Sequence, residues 1–338
     1  MQKQDIRIVF MGTPDFAVPT LDALVTGGYN VVGVITMPDK PAGRGHKVQY
    51  SPVKQYALDH NLPLLQPEKL KDESFLEALR AWRADLQIVV AFRMLPEVVW
   101  AMPRLGTFNL HAALLPQYRG AAPLNWAVIN GDKVTGATTF FLDHQIDTGR
   151  IILKQSLEIG EDENVGSLHD RMMEMGKGLV TRTVDLLLEA DGDLSRVPTI
   201  DQDTLLQDLK ASTGIDELRP APKIFKETCE LHFDQSVRSL HNLVRGLSPY
   251  PAAWTTLGGL SPVKVFRTHI VDEGILLPAD FIGKYKTDNR SYIHIFCADG
   301  ILSLDELQLP GKKRMDVRSL LNGFRVESEE LSFAVAGS

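Results

Sequence analysis

The chain has 338 residues, of which 44% are hydrophobic and 23% are charged, a balance typical of a packed globular protein rather than a disordered or fibrous one. Its length favours two domains over one. The formal net charge of −7 excludes a protein that coats nucleic acid indiscriminately, because such binding depends on Lys and Arg neutralising phosphates. Any contact with nucleic acid must come from local basic patches.

The cellular environment follows from what the sequence lacks. Cys229 and Cys297 are the two cysteines, and their separation excludes both a disulfide framework and a cysteine zinc site. The N-terminus lacks the pattern of a signal peptide, and apolar runs such as 86–92 fall far short of the roughly 20 residues that span a bilayer. We therefore expect a cytoplasmic protein with no membrane contact. We also expect a monomer, although none of these features bears on the oligomeric state. The nine histidines form no H-E-x-x-H pattern, so no metal site is expected.

The N-terminal part of the chain has the pattern of β-α-β units. Residues 6–11 read as a buried strand, a Gly-Thr-Pro turn follows, and apolar spacing between residues 16 and 24 predicts a helix. Residues 31–36 and 85–92 predict further strands. Strands that alternate with helices indicate a mostly parallel, doubly wound α/β sheet.

The rest of the first domain is predicted to end in a hairpin and a long helix. Residues 107–110 read as a short strand, and 137–142 and 151–157 as an antiparallel pair. An amphipathic helix over 167–189 closes this domain.

Beyond it the composition becomes polar, which predicts a linker. A helix over 236–245 is then followed by short strands with Gly and Pro between them, a pattern that indicates a small β-barrel. We expect a catalytic domain over 1–190, a linker over 191–222 and a barrel domain over 223–330. The predicted barrel strands are 253–257, 263–269, 292–297 and 301–308.

The polar residues that could perform chemistry concentrate after the strand at 107–110. Asn109 and His111 are two residues apart, so an extended backbone presents both side chains on one face. Acyl transfer to an amine requires a donor for the oxyanion and a base for the amine proton, which an amide and an imidazole can supply. Asp147, in the loop of the predicted hairpin, could fix the tautomer of the imidazole. Each residue alone also has an ordinary structural explanation, so the residues leave this role open.

Two common phosphate-binding patterns are missing. The turn after the first strand, residues 12–15, does not have G-x-G-x-x-G spacing, which disfavours a nicotinamide cofactor. A Walker-type Gly-Lys-Ser/Thr is also absent from the sequence.

Motifs along nearly the whole chain resemble the methionyl-tRNA formyltransferase family. The resemblance implies a Rossmann-like formyltransferase domain followed by a barrel similar to an OB-fold. It also implies catalysis by Asn109, His111 and Asp147, 10-formyltetrahydrofolate as the formyl donor, and methionyl initiator tRNA as the acceptor. The matching motifs are GTPDFA at 12–17, DKPAGRG at 39–45, SPVK at 51–54, LLPQYRGAAP at 114–123, DTG at 147–149, RGLSPYP at 245–251 and GKKR at 311–314.

The resemblance further implies which residues bind the folate. Backbone groups after the strand at 85–92 would bind the pterin. Arg93 stands where many relatives have glycine and is expected to alter the pocket entrance, whereas Arg150, a second departure, is expected to matter little. The implied folate-binding residues are Val90, Ala91, Phe92, Leu95, Leu114, Leu115, Pro116 and Gly120.

Two basic segments are expected to contact tRNA. The loop over 38–54 is rich in Lys and Arg, and by the resemblance Arg44 and Lys47 bind the acceptor stem. Lys312, Lys313 and Arg314 form the second site. Two alternatives remain open: a formyltransferase of the same fold acting on a sugar nucleotide or another small amine, and an RNA-binding protein without turnover.

Overall fold

The computed structural model describes residues 1–42, 47–213, 217–275 and 277–325. They form two compact units. The first comprises residues 1–123, 134–158 and 169–222, and the second comprises 124–133, 159–168 and the residues from 223 onward. The boundaries expected from sequence, 1–190, 191–222 and 223–330, stay a prediction.

Both units combine strands with helices. In chain order, the strands are β1 (Ile8–Gly12), β2 (Val31–Ile35), β3 (Lys40–Ala42), β4 (Lys47–Gln49), β5 (Leu64–Leu65), β6 (Leu86–Val90), β7 (Thr107–His111), β8 (Val134–Phe141), β9 (Ile151–Glu158), β10 (Ala253–Leu257), β11 (Leu260–Glu273), β12 (Tyr285–Thr287), β13 (Ile293–Phe296), β14 (Gly300–Gln308) and β15 (Met315–Asp316). The helices are α1 (Val18–Thr26), α2 (Pro52–Asp59), α3 (Glu73–Ala81), α4 (Glu97–Trp100), α5 (Pro123–Ile129), α6 (Val165–Glu189), α7 (Gln202–Thr213), α8 (Val237–Leu247) and α9 (Val317–Leu321).

The sheet of the first unit is mostly parallel, as the sequence predicted. Its strand order is β5-β2-β1-β6-β7-β8-β9, and the strands from β5 to β7 are parallel. The predicted hairpin is confirmed, because β8 pairs antiparallel with both β7 and β9. Val90 is paired with Gly12 on one side and Leu110 on the other, so β1, β6 and β7 end at one edge.

Burial explains why these segments form central strands. Every residue of β1 and of β6 is buried, as expected for strands that are covered on both faces by helices. Gly33 in β2 allows Trp82 to pack closely, since an added Cβ would lie 2.4 Å from the indole ring. Because helices cover both faces of the sheet, a ligand would bind at the edge where the parallel strands end.

The polar segment predicted as a linker is part of the first unit. It contains α7, which the sequence analysis did not predict. Ile200 exchanges two backbone hydrogen bonds with Ile151, at the start of β9. Ala221 pairs with Gly120 further along. This segment therefore lies against the loops that leave β7 and precede β9.

The second unit is built on an antiparallel sheet, in agreement with the small β-barrel domain that was predicted. Its strand order is β10-β11-β14-β13-β12, with β15 paired to β14. The buried face of α8, including Leu240, Val244 and Leu247, joins the sheet residues in one hydrophobic core. In the described ranges, no helix has the length and apolarity that crossing a bilayer would require.

We predict that Leu21→Ala lowers the free energy of unfolding of the first unit by about 2 to 5 kcal/mol, because its fully buried side chain would leave a cavity under the sheet. The measurement is urea denaturation followed by circular dichroism. Leu58→Ala is the matched control: Leu58 is 45% exposed on α2, and its change should stay within about 0.5 kcal/mol. Equal losses in the two variants would contradict this assignment of the core.

Candidate active site

The predicted amide lies on β7, close to where that strand ends. Asn109 is opposite Val89 on β6, and its side chain is half-buried. Its neighbours Phe108 and Leu110 are buried on the other face, which is the alternation that the sequence predicted. Among the described residues, none hydrogen-bonds the Asn109 side chain. Its amide N–H groups are therefore available to a ligand.

The imidazole of His111 is held in one tautomer by the backbone. Its side chain is 6% exposed, and Nε2 lies 2.8 Å from the carbonyl oxygen of Tyr118. A carbonyl oxygen only accepts hydrogen bonds, so Nε2 carries the proton. The neutral ring therefore has its lone pair on Nδ1.

Asp147 lies beside that lone pair. Its Oδ2 is 3.8 Å from Nδ1 of His111 and accepts a hydrogen bond of 3.0 Å from the backbone N–H of Gly120. A separation of 3.8 Å is too long for a hydrogen bond but close enough for charge to act. The expectation that Asp147 fixes the tautomer is therefore corrected, because the Tyr118 carbonyl does so.

Two opposing effects act on the pKa of His111. Burial lowers this pKa from its ordinary value, because the charged ring loses its hydration. The negative charge of Asp147 and the hydrogen bond to the Tyr118 carbonyl act in the opposite direction. Before reaction the neutral ring is therefore favoured. Once Nδ1 has accepted a proton, the resulting imidazolium has a carboxylate beside it.

Thr138 shapes the loop that follows β7 and was missed by the sequence analysis. It pairs with His111 across the β7–β8 ladder and is fully buried. Its hydroxyl donates to the carbonyl of Ala113 at 2.7 Å and accepts from the backbone N–H of Leu115 at 3.1 Å. A buried threonine in a strand has no distinguishing pattern, so only the fold reveals this contact.

The residues after β6 that were predicted to bind folate differ in how exposed their side chains are. Val90 is buried as the last residue of its strand, and Ala91 is exposed with a left-handed φ of 48°. Phe92 is half-buried, and Leu95 packs into a hydrophobic cluster with β1 residues. Where a side chain packs into the core, contact with a ligand would come from the backbone.

The predicted folate residues after β7 are likewise mixed. Leu114 is half-buried, and Leu115 is fully buried against Phe140. Pro116 is buried. Gly120 is the member of this set that contacts the Asn109, His111 and Asp147 group directly, through its N–H to Asp147.

The two departures from the family pattern make contacts of their own. The guanidinium of Arg93 donates to the carbonyl oxygens of Pro67 and Glu68, so it ties two loops together. Arg150 donates from Nε to the hydroxyl of Thr199 at 2.8 Å, in the segment predicted as a linker.

The predicted tRNA residues fall in different situations. Arg44 lies outside the described residues, and Lys47 begins β4. Lys312 and Lys313 are exposed on the second unit. Arg314 forms an ion pair with Glu306, so its charge is already partly neutralised.

Within the described ranges, no cluster of three or more His, Cys, Asp or Glu side chains has the arrangement of a metal site.

Comparison with known families accounts for most of the chain. The sequence pattern of the family described as Formyl transferase matches residues 6–184, and that of Formyl transferase, C-terminal domain, matches residues 223–325. Methionyl-tRNA formyltransferase of Bacteroides thetaiotaomicron is 58% identical over 330 residues, which cover 96% of this chain and 98% of that protein.

Solved structures share the fold at low sequence identity. HypX from Aquifex aeolicus in complex with tetrahydrofolic acid gives a TM-score of 0.59 at 17% identity, covering 94% of this chain and 47% of that one, so this chain spans about half of its length. The N-formyltransferase of Helicobacter canadensis in complex with folinic acid and dTDP-3-aminofucose gives 0.61 at 16% identity, covering 88% and 98%. Both sequence patterns and the close relative lead to one conclusion: this chain belongs to the methionyl-tRNA formyltransferase family.

Proposed function

We propose that this protein transfers the formyl group of 10-formyltetrahydrofolate to the amino group of methionine carried on initiator tRNA. The observation that carries the proposal is the grouping of a free amide, a neutral imidazole and a carboxylate at one edge of a parallel sheet. Among the described residues, Asn109 has hydrogen-bond donors without a protein partner, and His111 has a lone pair beside Asp147. These are the groups that direct acyl transfer to an amine requires.

The proposed reaction proceeds through one tetrahedral intermediate. The amine nitrogen attacks the formyl carbon, and the carbonyl oxygen becomes an oxyanion that the Asn109 amide stabilises. The attacking nitrogen gives its proton to Nδ1 of His111, and the resulting imidazolium is stabilised by Asp147, 3.8 Å away. The oxyanion then collapses, the bond between the formyl carbon and N10 of the folate breaks, and N10 takes the proton from the imidazolium, which returns His111 to its neutral form.

Two considerations favour a tRNA-borne amine over a sugar nucleotide. The relative that is 58% identical over nearly the whole chain is named for methionyl-tRNA, whereas the neighbour solved with an amino sugar nucleotide is 16% identical. The second unit also exposes two lysines, Lys312 and Lys313, and positive charges of this kind bind the phosphates of RNA.

The remaining parts of the proposal concern the donor and the setting. HypX, which shares the fold, was solved with tetrahydrofolic acid, which supports a folate donor. In the proposal the folate lies against the backbone at 90–95 and 114–120, no metal takes part, and the protein acts as a cytoplasmic monomer. Unchanged activity after dialysis against a chelator would agree with a metal-free reaction.

The decisive assay mixes purified protein, 10-formyltetrahydrofolate and methionyl initiator tRNA, with a dTDP-amino sugar as the competing acceptor. Absence of transfer to the tRNA would overturn the proposed function, and transfer to the sugar alone would establish the alternative. We expect His111→Ala to lower kcat by about 10² to 10⁴ and Asn109→Ala by about 10² to 10³. His60→Ala, a change at the exposed histidine that directly follows α2, should leave kcat unaltered. Affinity for tRNA should be unchanged in each variant, as a filter-binding measurement would report.

The pH dependence of kcat tests the role of Asp147. His111 acts as a base in its neutral form, so kcat rises with pH through its pKa. Asp147 raises that pKa, and Asp147→Asn should therefore lower it and move the acidic limb of the profile to lower pH. The same variant should lower kcat on the plateau, because the imidazolium loses its neighbouring charge. A limb that stays in place or moves to higher pH would remove Asp147 from the mechanism.

Salt dependence tests the proposed tRNA contact on the second unit. If Lys312 and Lys313 bind phosphates, replacing both with Ala should reduce the slope of log affinity against log salt by about 1 to 2. The matched control replaces Lys69 and Lys71, two exposed lysines near α3, with Ala. A slope that falls equally in both double variants would show that only net charge matters.

A further inference from the structure

Gln202 is the first residue of α7, in the segment that the sequence predicted to be a linker. Its side chain is only 2% exposed. A buried glutamine must have partners for both ends of its amide, because unpaired polar groups are costly away from water. The partners of Gln202 lie on the two loops that carry the candidate active site.

The nitrogen of the Gln202 amide contacts the loop that carries Asp147. Nε2 donates to the carbonyl oxygen of Asp147 at 2.9 Å and to that of Gly149 at 2.8 Å. Asp147 has a left-handed φ of 57°, which is uncommon for a residue with a side chain. At Gly149 an added Cβ would lie 1.7 Å from the carbonyl oxygen of Phe141, so the backbone there has one tight path. The two hydrogen bonds support the backbone in this unusual conformation.

The oxygen of the same amide contacts the other loop. Oε1 accepts hydrogen bonds from Nε of Arg119 at 3.2 Å and from its Nη2 at 2.7 Å. Arg119 lies between Tyr118, whose carbonyl accepts from His111, and Gly120, whose N–H donates to Asp147. One side chain thus links the loop that orients the imidazole to the loop that carries the carboxylate.

We propose that Gln202 is a positioning residue for the transfer reaction, which holds Asp147 beside Nδ1 of His111 by joining these two loops. The inference rests on the proposed catalytic roles and adds a residue outside the catalytic group. Hydrogen bonds to a backbone carbonyl fix where the carboxylate lies without changing its charge. A displacement of about 1 Å at a catalytic group can lower a rate by about 10².

The position of Asp147 can be tested without turnover, because its charge acts on the pKa of His111. Among the described residues, Asp147 is the charged side chain that acts on this imidazole, while Phe140 contacts it edge-on and Arg119 is turned to Gln202. If Asp147 moves away, the pKa of His111 must fall further, since its carboxylate no longer opposes the effect of burial. NMR titration of His111 in the substrate-free protein reports this directly.

The test compares Gln202→Glu with Gln207→Glu, the same change at an exposed site of α7. The carboxylate introduced by Q202E retains the acceptor for Arg119 but loses both donors to the Asp147 loop, so we expect kcat to fall about 10- to 100-fold. The Michaelis constants for folate and tRNA should change less than about threefold, since ground-state binding is retained. The His111 titration should stay in place in Q207E, whereas in Q202E the new buried carboxylate would itself raise the pKa of His111, so the displacement of Asp147 is read from a neutral variant.

A second variant guards against a folding defect. Gln202→Met is neutral and similar in volume, so it should give the same fall in kcat and move the His111 titration to lower pH. If the wild-type protein transfers formyl groups, both Gln202 variants match its kcat and Gln202→Met matches its His111 titration, the positioning role is overturned. If the wild type does not transfer formyl groups, the proposed function fails instead, and a His111 titration displaced to lower pH in Gln202→Met would still establish the link between Gln202 and Asp147.

Discussion

The hydrogen bond from Nε2 of His111 to the carbonyl oxygen of Tyr118 determines which nitrogen of the ring can accept a proton. Because the donor is fixed by a backbone acceptor, the free lone pair lies on Nδ1, toward Asp147. The loop that follows β7 must therefore fold back so that the carbonyl oxygen of Tyr118 reaches His111 at the end of that strand. The buried contacts of Thr138 and Leu115 at the start of this loop are what keep it on that path.

The 3.8 Å separation between His111 and Asp147 suits a base better than a short hydrogen bond would. A carboxylate hydrogen-bonded directly to Nδ1 would require a proton on that nitrogen, which would then have no lone pair to accept another. At the observed distance, with Oδ2 already accepting from Gly120, the carboxylate stabilises the imidazolium without taking its proton. Burial supplies the opposite effect by disfavouring the charged ring before reaction. The two effects together keep the ring neutral at rest and able to accept a proton during transfer.

The sequence predicts those parts of the molecule that depend on periodic burial. The runs that form β1 and β6 are apolar because both faces of the strands are covered, whereas β10, which was located to the residue, alternates between buried and more exposed positions. The placement of Asn109 and His111 on the same face of β7 follows from strand geometry, because they are two residues apart. The sequence does not reveal Gln202, because a polar side chain that bonds to distant backbone leaves no pattern. Nor does it reveal the role of Arg93, which depends on two carbonyl groups that precede it by 25 and 26 residues in the chain.

The polar composition of residues 191–222 has a physical explanation that differs from the one the pattern suggested. Loops that follow β7 and precede β9 have backbone groups without strand partners, and such groups must be satisfied where water is excluded. The segment supplies these partners: Ile200 pairs with Ile151, Ala221 with Gly120, and Gln202 with both loops. A stretch with this task needs few apolar side chains and several hydrogen-bonding ones, so its composition resembles that of a linker. Low hydrophobicity does not by itself mark a segment as a linker. It is also found in a packed segment whose partners are backbone polar groups.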